Sequence, residues 1–598
     1  MSNHQLLQTI IDKPDDDTPR MVYADWCEEN NDPDQAEFIR VQCELVRFDE
    51  EDPRRLPLRQ RENELLRANY AAWTAHLPEN AKEYTFRRGF LRKAQFTTEE
   101  FREVQESLFE KAPLLRELEL LDVDDALSGL ATMHNLTRLH SLKLLDFNPL
   151  FEDLLPLLEA PHLANLRKLD LSYTEMELGD LDRLLRIPCM PNLRVLNLNG
   201  NDIGHALRSL AESPLVARLQ KLHLGAFHVP SDELQALGKS ELLNRLEYLS
   251  LDSTSLFDEG WEILADSPAF ANLTHLSLES CLLDDRGLIA LCQSKHLRKL
   301  RALNLNWNTI SDRGLKALAG SPIAKPLFKL ALRANNIGPE GVRSLAESKK
   351  LGNLRLLSLW QNEVGPEGAE AIAESQALGG LIRLDLDENA IGDEGVRAIA
   401  ESAYLTNLVG LHVGENEISD NGLEALANSR NMENLVELIA FTNDFTAKGI
   451  EALANSPYLT NLVLLYLGHN HLGPEAAQLV AESPYLTQLG DVSFCGNDFG
   501  DEGVRFISNS ENFAHVYELD LAGNEIVNGL VDVARSTYMQ NLAKLEAEAN
   551  VISEEAAEAL LASKTISWLR ELKLDIEDLP ETVENELRRR YGDSVDWY

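Results

Sequence analysis

Between Leu115 and about Asp575 the chain writes one pattern over and over, and that regularity limits what it can fold into. Leu381, Leu384, Leu386, Asn389, Gly395, Ile399 and Ala400 recur 27 residues later as Leu408, Leu411, Val413, Asn416, Gly422, Leu426 and Ala427. Numbering each unit from its first leucine-type residue gives starts at 115, 139, 166, 193, 219, 246, 273, 300, 327, 354, 381, 408, 435, 462, 489, 516, 542 and 569, eighteen units in all. From 219 to 516 every step is 27 residues, so the register holds without insertion. Leu384-Asp385-Leu386 alternates with period two, which predicts a short strand with its leucines turned inward. Gly395 to Ala400 spaces apolar groups at i, i+3 and i+4, which predicts a helix packing one stripe inward. One such strand–loop–helix unit buries too little to fold alone, so the units must stack.

The spacing L-x-x-L-x-L-x-x-N resembles the leucine-rich repeat, and the helix-bearing second half resembles its ribonuclease-inhibitor-like class. The resemblance implies an α/β solenoid, a horseshoe with parallel strands on the concave face and helices on the convex face. The ninth position is Asn in eleven units, from Asn201 to Asn550. An inward amide there is expected to satisfy backbone groups of neighbouring loops. Thr174, Phe227, Thr254 and Cys281 replace it, which predicts a less regular stretch between the third and seventh units. The last unit needs a cap, expected from a helix over Thr582–Tyr591 ended by Gly592, with Trp597 covering the remaining apolar edge.

Ahead of the array the chain reads as three short helices, helped by the Thr18-Pro19 and Asp32-Pro33 starts. The segments Arg20-Met-Val-Tyr23-Ala-Asp25-Trp26 and Asp32-Pro33-Asp-Gln-Ala36-Glu37-Phe38-Ile39-Arg40-Val-Gln42 resemble the bacterial repeat-companion domain over residues 3–48. That resemblance supplies context and no reaction. Arg20, Asp25, Glu37 and Arg40 read as a paired lock between helices, with Trp26 and Phe38 as core. A fourth helix over Arg59–His76, two strands around Gly89 and a helix over Glu99–Lys111 lead into the first repeat. Arg54, Arg55, Arg59 and Arg61 form a basic cluster that docks on the acidic array, binds an acidic partner or is merely solvated. The expected domains are therefore 1–50 (companion module), 51–114 (N-terminal cap), 115–576 (array) and 577–598 (closing helix).

Net charge is −42, from 98 acidic and 56 basic residues. Such a surface repels phosphate backbones and anionic lipid, so neither nucleic acid nor membrane is an expected partner. The six cysteines are scattered without a CxxC pair, which fits buried thiols in a reducing compartment rather than disulfides or zinc. With no signal-like start and no long apolar run, a cytoplasmic monomer is expected.

The outward strand positions of each unit are the third, fifth, seventh and eighth. In repeats eight to fourteen they carry Trp307, Arg333, Trp360, Arg383, Asp385, Asp387, His412, Phe441, Tyr466 and His469. Aromatics and arginine on a concave face are the residue types of interface hot spots. They predict a protein- or peptide-binding patch, its partner basic if charge steers it. The same aromatics stacking on one another as surface cover is the structural alternative. No HExxH, GxSxG or GxxxxGK[ST] stretch occurs, so no enzyme, cofactor or metal is expected. Asp385, Asp387 and Glu388 together suit a cation, but Arg383 beside them favours a salt-bridged surface. The second functional reading is a regulator of an enzyme: an inhibitor of a basic hydrolase, or a GTPase-activating-like protein with Arg333 supplied to a phosphate.

Overall fold

The computed structural model describes residues 3–123, 127–145, 151–187, 190–256 and 258–595, so Cys189 and Trp597 lie outside the described residues. The chain forms two compact units, residues 1–47 with 71–335 and residues 48–70 with 336–598.

The first unit opens with α1 (Asn3–Asp12), α2 (Thr18–Glu29) and α3 (Pro33–Leu45). The Asp32 side chain caps α3 by accepting from the Gln35 amide at 3.3 Å, with Pro33 at the first helical position. Leu6, Ile10, Tyr23, Ala24, Cys27, Ala36, Ile39 and Cys43 form the core of this bundle. Phe38 is fully buried and packs on Trp73, from the end of α4 (Leu56–Thr74), and on Phe86. Trp26 is only partly buried. Arg40 reaches Asp25 at 2.8 Å and Glu28 at 2.7 Å on the surface, where such pairs add little stability. The strands β1 (Glu83–Arg87) and β2 (Phe90–Thr97) form a hairpin. Its turn places Arg88 (φ 54°) and Gly89 (φ 84°) in the left-handed region that tight hairpins need. β2 then pairs in parallel with Glu117–Leu121 and so covers the first edge of the repeat sheet. Between them α5 (Thr98–Lys111) starts with a Thr97–Glu100 capping box.

In both units each repeat contributes a short strand pairing in parallel with its neighbours. Where the spacing is 27 residues the register follows it: Arg383 lies opposite Gly410, which lies opposite Glu437. The leucines do what their alternation predicts: Leu381, Leu384 and Leu386 are fully buried, as are Val396 and Ile399 of the helix behind them.

Three ladders connect one repeat to the next. The asparagines form the first. The Asn416 amide donates to the carbonyls of Leu386 (2.9 Å) and Gly414 (2.6 Å), while its Oδ1 accepts from the N–H groups of Asn389 (3.1 Å) and Ile391 (3.2 Å). At two of the replaced positions a smaller donor keeps part of the rung: Cys281 Sγ reaches the Leu251 carbonyl at 3.0 Å and Thr254 Oγ1 the Leu224 carbonyl at 3.5 Å. The second ladder is serine: Ser375, Ser402, Ser429 and Ser456 each donate to a helix-end carbonyl of the preceding repeat, Ala346, Ala373, Ala400 and Ala427. The third is aspartate: Asp393 accepts from the Ser419 and Gly422 amides, capping the next helix. At the C-terminal end of the second unit a helix over Glu581–Tyr591 stops at Gly592 (φ 73°), and Val583 and Leu587 are buried beneath it.

The second unit also contains residues 48–70, which run along the edge where its strands begin. Second-position residues of the repeats line that edge with apolar groups: Ile382, Val409, Val436 and Val463. Arg383 Nη1 donates to the Glu51 carbonyl at 2.9 Å, Gln60 Nε2 to that of Gln488 at 3.0 Å and Asn63 Nδ2 to that of Asn541 at 3.0 Å. His515 Nδ1 meets Glu64 at 2.7 Å, and Trp568 Nε1 donates to Asn63 at 3.0 Å. The stretch is thus held on the array through Gln60, Asn63 and Glu64, while Arg54 pairs with Asp52 and Arg61 with Glu64 inside the stretch itself. Among the described residues no helix is long and apolar enough to cross a membrane.

Candidate functional site

The sequence candidates fall in both units. In the first, Trp307 is 46% exposed and the Arg333 guanidinium lies 5.1 Å from its ring centre. Trp307 takes the left-handed backbone (φ 54°), as do the other eighth-position residues Ala334, Gln361, Glu388, Glu415, Thr442 and His469. The turn into the asparagine ladder imposes this conformation, a strained one for a bulky side chain. In the second unit Trp360, Phe441 and Tyr466 are half-buried and His469 is exposed. The Phe441 ring lies against Gly414, where a Cβ atom would meet it at 2.7 Å.

Arg383, Asp385, Asp387 and His412 come together on adjacent strands, and Glu437, absent from the sequence candidates, joins them. Asp385, Asp387 and His412 are buried rather than displayed on a salt-bridged surface. Asp385 and His412 are direct neighbours in the parallel register, and Asp387 lies two residues on along the same face. Asp385 Oδ2 accepts from the Ser358 hydroxyl at 2.6 Å, and Asp387 Oδ1 accepts from the Gly414 N–H at 2.5 Å. His412 Nε2 sits 3.0 Å from Glu437 Oε1, and Arg383 reaches the same carboxylate at 3.6 Å. Gly410 makes this closure possible: a Cβ there would meet Glu437 Oε2 at 2.5 Å and Arg383 Cγ at 3.3 Å. Burial pushes the Asp387 carboxyl up to about 7, with the Asp385 carboxylate adding to the shift. Burial opposes a charge on His412, but the Glu437 carboxylate outweighs it and raises the imidazole. Burial also works against Glu437, yet His412 and Arg383 hold it below its ordinary value.

Further along the same face is a cavity of about 130 Å³ lined by Tyr466, Asp491, Glu518, Asp520, Lys544 and Glu546, among others. Tyr466 donates its hydroxyl to Asp491 at 2.9 Å, and Lys544 meets Glu546 at 2.9 Å. Burial, reinforced by the Glu518 carboxylate, pushes Asp491 up to about 7. Burial also raises Glu518, against the pull of Lys544. Four carboxylates against two ammonium groups, Lys544 in the lining and Lys573 on Glu546, leave this cavity short of positive charge.

A family model described as a leucine-rich repeat matches residues 189–205, 271–292, 296–319, 327–346, 353–373, 381–400 and 404–427. With the strand and the helix in each of these units, and the asparagine rung in all but the one that carries Cys281, that decides the class. The chain carries leucine-rich repeats. Among solved structures it is similar to an internalin of Listeria monocytogenes, at 21% identity over 69% of this chain and 87% of that one, with a TM-score of 0.32. A leucine-rich-repeat protein of Leptospira interrogans is 20% identical over 72% of this chain and 95% of that one, with a TM-score of 0.35. A chain of the mouse RP105/MD-1 complex is 17% identical over 77% of this chain and 74% of that one, with a TM-score of 0.42. No curated protein matches. Trp307 and Arg333 stack together, the His412 cluster is a buried charge network, and Tyr466 belongs to the acidic cavity.

Proposed function

We propose that the protein is a non-catalytic scaffold that binds a basic protein segment or peptide on the strand-lined face of its second unit. The observation that supports this reading is the cavity of Tyr466, Asp491, Glu518, Asp520 and Glu546, whose acids outnumber their cations. A lysine or arginine brought by a partner supplies what Lys544 and Lys573 do not, and the half-buried ring of Trp360 offers an apolar anchor in the same unit. The net charge of −42 steers such a partner from a distance. Arg333 lies over the Trp307 ring, so the second reading, an arginine supplied to a phosphate, gains no support from its geometry.

Selection from a random-peptide display library against the full chain tests the proposal. The enriched peptides are expected to carry Lys or Arg and to weaken steeply with salt. Asp491→Asn with Glu518→Gln, or Trp360→Ala alone, is expected to lower their affinity by about 2 kcal/mol or more. Failure to enrich peptides, or peptides that keep full affinity for these variants, would overturn it.

A further inference from the structure

The buried cluster beneath Arg383 has the chemistry of a cation site. We propose that Asp385, Asp387 and His412 bind one divalent transition-metal ion of the Zn²⁺ class. The inference needs no partner and stands apart from the peptide-binding reading.

The donor atoms carry it. One oxygen or nitrogen of each of the three side chains lies within 4.8 Å of the others. Each side chain is held through its other polar atom. Asp387 Oδ1 accepts from the Gly414 N–H, His412 Nε2 faces Glu437, and Asp385 Oδ2 accepts from the Ser358 hydroxyl. What remains is Asp387 Oδ2 and His412 Nδ1, on side chains 3% and 5% exposed, aimed at each other across 3.9 Å. That gap is too long for a hydrogen bond. In a tetrahedral site donors at roughly 2.0–2.1 Å from the metal stand about 3.3–3.4 Å apart, so an ion closes this gap by about 0.5 Å. Asp385, whose Oδ1 accepts from the Asp387 N–H at 3.3 Å, has its donor within 4.8 Å of the other two and closes by up to about 1.4 Å to share the ion.

The surroundings fit as well. His412 Nε2 stands 3.0 Å from Glu437 Oε1 and 3.2 Å from Arg383 Nη2; with its proton on Nε2 the imidazole donates to Glu437 and leaves Nδ1 for the ion. A histidine whose far nitrogen donates to a carboxylate is the arrangement that orients imidazole ligands in metal sites. Charge agrees: Asp385, Asp387 and Glu437 against Arg383 leave a surplus of two negative charges when the imidazole is neutral. A divalent ion cancels that surplus in place of two protons, one on Asp387 and one on His412. An imidazole with two carboxylates favours Zn²⁺ or Co²⁺ over Ca²⁺ or Mg²⁺. Binding replaces whatever proton stands on Nδ1.

The test titrates the chelator-treated full chain with ZnCl₂ by calorimetry and with CoCl₂ by visible absorption. One equivalent is expected, and it is lost in both His412→Ala and Asp387→Asn. A His469→Ala, His471→Ala double variant, which removes two exposed histidines of the same unit, keeps it. Glu437→Gln binds roughly tenfold to a hundredfold more weakly, because it touches the imidazole and not the ion. X-ray absorption of the zinc-loaded unaltered chain does not depend on any variant folding. One imidazole with oxygen donors supports the assignment. The absence of an equivalent, an equivalent that survives both ligand variants, or a spectrum with two or more imidazoles or sulfur refutes it.

Discussion

Removing the amide of Asn416 tests the idea that the repeats are joined through their asparagines. The side chain is fully buried and makes four hydrogen bonds. In Asn416→Ala the two carbonyls are not abandoned. The Leu386 carbonyl still accepts from the Asn389 amide at 3.1 Å, and that of Gly414 from the Glu388 N–H at 2.8 Å. The N–H groups of Asn389 and Ile391 have no such alternative, since both are served by Asn416 Oδ1. A buried N–H left without an acceptor costs about 1–3 kcal/mol, so the pair costs ~2–6 kcal/mol, and entry of a water favours the lower half. We expect about 3 kcal/mol, equivalent to roughly a hundredfold in an opening equilibrium. Global unfolding of a long repeat array is not a two-state process, so the assay is hydrogen exchange followed by mass spectrometry on peptides covering 386–392. Exchange there is expected to quicken about a hundredfold, while Asn407→Ala, whose exposed amide donates to the Gly379 carbonyl, changes it less than about threefold. An unchanged rate at 389–391 in a folded Asn416→Ala protein would show that these amides are protected by something other than the ladder.

Ser402→Ala removes the hydrogen bond to the Ala373 carbonyl and strands the N–H groups of Tyr404 and Leu405, both of which donate to Ser402 Oγ at 3.1 Å, so hydrogen exchange over 402–406 is expected to show about 2–4 kcal/mol, comparable to Asn416. The contact between His515 and Glu64 makes the docking of residues 48–70 depend on pH. The hydrogen bond to Glu64 raises His515 above its ordinary 6.5, so its contribution is full below that value and fades as pH rises through the folded-state value. The hydrogen bond from His515 lowers Glu64 below 4.5, so its contribution is present above 4.5 and fades as pH falls through the folded-state value. The melting-temperature difference between the unaltered protein and His515→Gln is therefore expected to be largest near about pH 5–6 and to vanish well above about pH 8. A difference that grows with pH would contradict the assignment of that pair.

Much of the array was legible because period two and period 3.6 are written into the same 27 residues and no insertion disturbs them between 219 and 516. The asparagine rung was legible for the same reason: a polar residue fixed at an inward position has to be spending its hydrogen bonds. The serine ladder follows the same logic and has the same period, yet Ser402 and its equivalents sit at a helix end where serine is unremarkable, so the signal was missed. The place of residues 48–70 was not legible. Its arginines read as a loose basic cluster, and the complementary feature was the run Ile382, Val409, Val436 and Val463 at the second position, visible only when the repeats are aligned in columns.

The charged cluster escaped for a different reason. Period two assigns Asp385, Asp387 and His412 to an outward face, and outward was equated with exposed. On a parallel sheet the outward face of one strand is walled by its neighbours, and what decides burial is the side chain one repeat over. At His412 those walls are unusual. Gly410 and Gly414 flank it on its own strand, so Glu437, Arg383 and the Phe441 ring close over space that other repeats fill with side chains. Glycine at the third and seventh positions of one repeat, with histidine between them and acids at the fifth and seventh of the repeat before, was the signal available. It becomes chemical only once the 27-residue register sets Asp385 beside His412.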